Sequence, residues 1–100
     1  MAATLQHVLQ QLKATEPELR RRGITHLSLF GSLVRGEAHD DSDIDLAVEI
    51  EPGRSFSLIR MEDTRQLLED LLGHPVDLGE IGSFRPLVRK AFEHDQVRVF

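Results

Sequence analysis

The residues of this chain whose types and spacing can do chemistry are Gly31-Ser32 and, after ten intervening residues, Asp43-Ile44-Asp45. Glycine lets a backbone approach a phosphate closely, and the Ser32 hydroxyl with nearby N–H groups can donate to phosphate oxygens. Two carboxylates can hold divalent cations. Together the two halves are what phosphoryl transfer needs: a phosphate turn and a cation site.

Strand geometry sharpens the second half. Side chains two apart on a strand project to one face, with Cα atoms about 6.5–7 Å apart. Asp43 and Asp45 can therefore share a face and bracket one or two cations. A third carboxylate is wanted, and Asp77 is the best candidate, because Val76-Asp77-Leu78 repeats the apolar–acid–apolar pattern of Ile44-Asp45-Leu46. If those strands are neighbours, the three acids converge on the face opposite the core. Glu80 has the wrong phase and Glu37 lies in a loop, so both are weaker candidates. The plainer alternatives are a glycine turn with a serine helix cap, and an acidic strand edge in solvent. The spacing and the matching Asp77 favour the chemical reading over both.

The surrounding charge is uneven. Glu37, Asp40, Asp41, Asp43, Asp45, Glu49 and Glu51 fall within fifteen residues that contain no Lys or Arg. Carboxylates crowded on one strand face repel unless a cation joins them. The five histidines, His7, His26, His39, His74 and His94, are scattered without ligand spacing. Arg35 suits a structural ion pair at least as well as a phosphate contact.

The elements that must position these residues alternate in type. Leu5, Val8, Leu9 and Leu12 repeat at helical spacing, which predicts a helix over 3–14. Thr15-Glu16-Pro17-Glu18 reads as a capping box opening a short second helix that Gly23 ends. His26–Phe30 reads as a strand, and Ser32 as the cap of a brief helix ending near Gly36. Asp43–Ile50 is the clearest strand, with Ile44, Leu46, Val48 and Ile50 on one face. A helix is expected over 55–72, with Met61, Thr64, Leu67, Leu68, Leu71 and Leu72 toward the core, followed by a strand over 75–79. Ser83 is expected to cap a last helix that buries Phe84, Leu87, Val88, Ala91 and Phe92. Val97–Phe100 alternates as a closing edge strand. Interleaved helices and strands predict an α/β (α+β type) fold, a sheet backed by helices, its acidic face partly open.

Composition bounds the rest. One hundred residues predict a single domain, 1–100. A formal charge of -5 argues against broad, sequence-independent nucleic-acid binding. The absence of cysteine excludes a disulfide framework, zinc-thiolate sites and a thiol nucleophile. No run has the length of a membrane-spanning helix, and Met-Ala-Ala-Thr does not read as a signal peptide, so a cytoplasmic protein is expected.

Gly31-Ser32-Leu33-Val34-Arg35-Gly36-Glu37-Ala38, then Ser42-Asp43-Ile44-Asp45-Leu46, resembles the signature of the polymerase-β-like nucleotidyltransferases. Within that superfamily it is most similar to the minimal nucleotidyltransferase (MNT-domain) antitoxins, and Pro75-Val76-Asp77-Leu78 fits that family's third acid. The resemblance implies a small mixed β-sheet backed by helices. It implies transfer of AMP from ATP to an acceptor hydroxyl, with Gly31 and Ser32 holding the triphosphate. Asp43 and Asp45 would bind both of two Mg2+ ions, and Asp77 would complete the catalytic ion's site. One ion would activate the acceptor hydroxyl and the other would neutralise the leaving pyrophosphate. The implied partner is a HEPN-domain ribonuclease toxin encoded nearby, modified on tyrosine, so a hetero-oligomer is expected. The chain itself has no tyrosine, which excludes tyrosine self-modification. The competing readings are a non-catalytic antitoxin that occludes its toxin, and a subunit of a small-molecule nucleotidyltransferase.

Overall fold

The computed structural model describes residues 4–100. In chain order the elements are α1 (Leu5–Lys13), α2 (Glu16–Arg21), β1 (Ile24–Phe30), β2 (Ile44–Ile50), α3 (Leu58–Leu72), β3 (Val76–Glu80), a 3-10 turn (Ile81–Ser83), α4 (Pro86–Asp95) and β4 (Val97–Arg98). The four strands form one mixed sheet in the order β3-β2-β1-β4. β1 is antiparallel to both β2 and β4, whereas β2 and β3 are parallel. The α3 crossover supplies the length that a parallel connection needs. This matches the expected fold class.

Alternation along the strands sorts side chains between two helical layers. Leu27 and Leu29 of β1 pair with Val48 and Leu46 of β2 and face the larger layer. There they cluster with Val8 and Leu12 of α1, Leu19 of α2, and Leu68 and Leu72 of α3. α3 starts at Ser57, whose hydroxyl accepts from the Arg60 N–H at 3.1 Å. It ends at Gly73, whose φ of +70° suits glycine. Ser28, Phe30, Asp45 and Ala47 face the other way. Half of this second face is covered. Phe30, Phe84 and Phe92 pack with ring centroids 5.5–5.8 Å apart in tilted and edge-on arrangements. Phe84 lies so close to Gly79 that any Cβ there would overlap its ring.

Several sequence expectations give way at this level. α1 starts at Leu5, with the Thr4 hydroxyl accepting from the His7 N–H at 3.3 Å; Ala3 lies outside the described residues. No capping box forms at Thr15. Its backbone is already helical, and its hydroxyl donates to the Leu12 carbonyl at 2.6 Å. Glu18 instead pairs with Arg21 and Arg22. Residues 31–36 make turns rather than a helix, so Ser32 caps nothing. Ser83 closes the 3-10 turn, and α4 begins later, with Arg85 as its cap residue and Pro86 in its first turn. That late start rotates the apolar stripe: Phe92 is buried, whereas Leu87 is 83% exposed and Val88 is exposed as well. On α3, Leu67 and Leu71 sit at the solvent edge rather than in the core.

The aromatic trio should therefore dominate the second layer. Phe92→Ala is expected to cost about 3–5 kcal/mol in urea unfolding, whereas Leu87→Ser should stay within about 0.5 kcal/mol of wild type. Equal costs at the two positions would refute this account of α4.

Candidate functional site

The acids are brought together by a register that the apolar face imposes. β2 and β3 pair with Ile44 opposite Val76, Asp45 opposite Asp77, and Leu46 opposite Leu78. Ile44 and Val76 are buried in the core, so their neighbours Asp45 and Asp77 must project from the opposite face. Adjacent strands lie about 4.8 Å apart, so the two aspartates stand side by side. The Ile44 N–H donates to the Pro75 carbonyl at 2.8 Å and ties the two strand mouths together. Asp43 lies one residue before β2, exposed, at the end of the acidic loop. That loop is closed by a reciprocal turn: the His39 N–H donates to Ser42 Oγ at 2.8 Å, and the Ser42 N–H to the His39 carbonyl at 3.1 Å.

The phosphate-turn candidates meet the acids at the same place. Phe30 pairs with Asp45, so the next residue, Gly31, lies directly against it. Gly31 has a φ of +83°, a conformation that L side chains rarely adopt. A Cβ there would overlap the Asp45 carboxylate oxygen and sit 3.0 Å from its Cγ. The glycine expected for close phosphate approach is thus also required for close carboxylate approach. From Gly31 the chain makes a compact turn. The Arg35 N–H donates to the Gly31 carbonyl at 3.2 Å, and the Glu37 N–H to the Ser32 carbonyl at 2.8 Å. Ser32 occupies this turn, half-buried.

Charge balance around Asp45 is unfavourable. Burial, then the charge of Asp77, then that of Asp43 push its carboxyl from the usual 3.8 up to about 6, and the Arg35 charge opposes them. Arg35 is clamped at both edges. Its Nε pairs with Glu37 at 2.8 Å and its Nη1 with Asp95 at 2.6 Å. Asp95 at the end of α4 escaped the sequence reading. The signal available was an acid at a helix C-terminus, where negative charge is disfavoured. The other basic residues of α4 are less involved: Arg89 pairs with Glu93 at 3.1 Å. Asp43 and Asp77 are exposed, and a groove of about 550 Å3 lies in the other helical layer among Arg21, Arg22, Arg60 and Asp63.

Among the described residues, no three His, Asp or Glu side chains converge closely enough to ring a metal ion. The donor set nonetheless fits a hard dication. Asp43, Asp45 and Asp77 are all oxygen ligands, two of them are exposed, and the half-buried one carries excess negative charge.

Two outcomes follow. Gly31→Ala should lose more than about 1 kcal/mol in urea unfolding from left-handed strain and displacement of Asp45; a neutral substitution would contradict the geometry. Because the folded carboxyl of Asp45 titrates higher than the unfolded one, its ionisation costs stability as pH rises from about 4 to about 6, and the cost is complete above that. In cation-free buffer Asp45→Asn should therefore raise Tm over wild type at pH 8. The gain should shrink as pH falls through about 4 and vanish at about pH 2.5, where Asp45 is neutral in both states. A gain that is the same at both pH values would mean that charge crowding is not its source.

Residues 12–99 match the nucleotidyltransferase domain family. The chain is 38% identical over 97 residues to the protein adenylyltransferase MntA of Thermococcus cleftensis, covering 96% of each. It superposes on a solved structure provisionally described as a minimal nucleotidyltransferase, with a TM-score of 0.78 and 32% identity, covering 95% of each chain. A toxin–antitoxin crystal structure with AMP-PNP gives a TM-score of 0.74 at 25% identity, over 90% of this chain and 72% of the other. The Shewanella oneidensis MNT antitoxin in complex with a tri-AMPylated HEPN toxin shares the fold, with a TM-score of 0.67 at 21% identity, over 92% of this chain and 71% of that one. The motif, the paired aspartates and these likenesses agree, and the chain belongs to the nucleotidyltransferase domain family.

Proposed function

We propose that this nucleotidyltransferase is an antitoxin that transfers AMP from ATP to a tyrosine hydroxyl of a HEPN-domain toxin. The observation that carries the reading is the in-register pairing of Asp45 with Asp77 directly against Gly31. The similarity to a protein adenylyltransferase supports a protein acceptor. The toxin–antitoxin structure with AMP-PNP supports an adenine nucleotide donor and a toxin partner. Residues 1–100 act as one catalytic domain in the cytoplasm and work as part of a hetero-oligomer. The described residues contain no helix long and apolar enough to cross a membrane.

The roles divide by chemistry. Asp43, Asp45 and Asp77 would hold Mg2+, their three carboxylates supplying hard oxygen ligands. The chemistry a bound Mg2+ would supply there is a lowered pKa for the attacking hydroxyl and neutralised charge on the leaving pyrophosphate. Gly31 leaves room for the Asp45 carboxylate at the head of the turn that receives the triphosphate, and Ser32 donates its hydroxyl to a phosphate oxygen. The turn from Gly31 to Glu37 is fixed by its own backbone hydrogen bonds, so these donors are oriented before substrate arrives. No histidine serves as base. The acceptor tyrosine has to come from another chain, because this one has none.

The test incubates the protein with ATP, Mg2+ and the toxin encoded beside it, then weighs the toxin by mass spectrometry. One or more AMP increments are expected on tyrosine. Asp45→Asn and Asp77→Asn should each reduce transfer at least about a hundredfold while the protein remains folded. If Asp43→Asn/Asp45→Asn still neutralises the toxin as fully as wild type, occlusion rather than modification is the mode of action.

A further inference from the structure

We propose that Asp95 is a positioning residue for this site, holding the Arg35 guanidinium where its charge offsets the acids and meets the substrate's phosphates. The inference rests on the nucleotidyl-transfer reading above and extends it to a residue sixty positions along the chain from Arg35.

Asp95 occupies an unfavourable place for an acid. It is the last residue of α4, where the helix dipole favours cations. Its side chain is only 7% exposed. Burying a carboxylate there has no packing benefit, so the compensation must come from specific partners. Two are present. Asp95 Oδ2 meets Arg35 Nη1 at 2.6 Å, and Oδ1 meets His94 Nδ1 at 2.8 Å. These partners, His94 first and Arg35 second, hold the Asp95 carboxyl below the usual range.

The consequence falls on Arg35. It sits in the Gly31–Glu37 turn, its own N–H bonded to the Gly31 carbonyl. Its Nε is taken by Glu37 and its Nη1 by Asp95, so the planar group is held at two edges. The two pairs leave Nη2 outside both contacts, and Arg35 lines a cleft of about 410 Å3 together with Lys90. Gly31 in turn packs against the Asp45 carboxylate, so Arg35 and the acid site share one turn. Glu37 alone cannot fix that position. It lies two residues away on the same loop, with an exposed side chain, whereas Asp95 belongs to a helix anchored by buried Phe92. The end of α4 therefore sets where the positive charge stands relative to the acid site.

The experiment measures binding of AMP-PNP with Mg2+ by calorimetry, alongside thermal unfolding of each variant. Asp95→Ala and Arg35→Ala are each expected to raise Kd about tenfold, and the double variant no further than either single one. Asp95→Asn, which keeps an acceptor oxygen but not the charge, should fall between Asp95→Ala and wild type. It also serves as the readout if Asp95→Ala fails to fold. Glu93→Ala, on the same helix but outside the clamp, should bind as wild type does. Asp95 variants within twofold of wild type, or losses that multiply in the double variant, would overturn the positioning role. Wild-type protein that does not bind AMP-PNP at all would instead overturn the nucleotidyl-transfer reading, and this inference with it. Wild type that binds normally but transfers no AMP to the toxin would remove only the acceptor assignment, with the clamp still decided by the cycle.

Discussion

The structure turns on one register: β2 beside β3, parallel, with Asp45 opposite Asp77. On the core face the same register sets Ile44 beside Val76 and Leu46 beside Leu78. Like charges side by side would separate if the strands could slide. A slip of one residue would carry the buried side chains to the acid face and the carboxylates into the core. A slip of two would leave Ile44 or Leu46 without its partner. Apolar burial on one face therefore enforces electrostatic crowding on the other, and the Asp45 carboxyl is raised first by its own burial and then by the charges of Asp77 and Asp43.

Three local features accommodate the conflict without removing it. Gly31 opens space for the Asp45 carboxylate by having no side chain. Asp77 and Asp43 remain exposed, where water screens them. Arg35 supplies one compensating charge but is itself shared between Glu37 and Asp95. One guanidinium divided in this way does not neutralise three acids. The site is left with a net negative charge suited to a dication and, through it, to a polyphosphate. Local rules are relaxed at this one place while the rest of the fold obeys them, which is how functional sites commonly stand out.

The strands were legible because period-two alternation is strict where one face is buried. Ile44-Asp45-Leu46 and Val76-Asp77-Leu78 announced both their phase and their likeness, and the pairing of Asp45 with Asp77 followed once the strands were taken as neighbours. The helical layer over the acid face was not legible. Phe84, Leu87, Val88, Ala91 and Phe92 have helical spacing, but Phe84 precedes the helix and Pro86 starts it late, so the stripe rotates and Leu87 faces solvent. Thr15 has the composition of a capping box and lacks only the extended backbone that capping needs, a property set by its tight link to α1. Ser32 precedes a turn held by its own hydrogen bonds and too short to continue as a helix. The Arg35–Asp95 pair joins positions that only the folded sheet brings close, and no pattern in the sequence spans that distance.

The half-covered acid face has a consequence for the acceptor. Phe30, Phe84 and Phe92 seal the part of the face next to Ala47 and Gly79, and leave the Asp45–Asp77 end in the open. A deep pocket would admit only a small molecule. An open acid edge can be approached by a residue carried on another folded chain. A donor nucleotide needs little enclosure when metal and backbone hold its phosphates, because most of its binding energy lies there. Under the proposed function, the remaining order would come from the acceptor's own fold, which would place its hydroxyl against the edge. On that reading, a domain of this size would supply the metal and phosphate chemistry while its partner supplied the second wall of the active site.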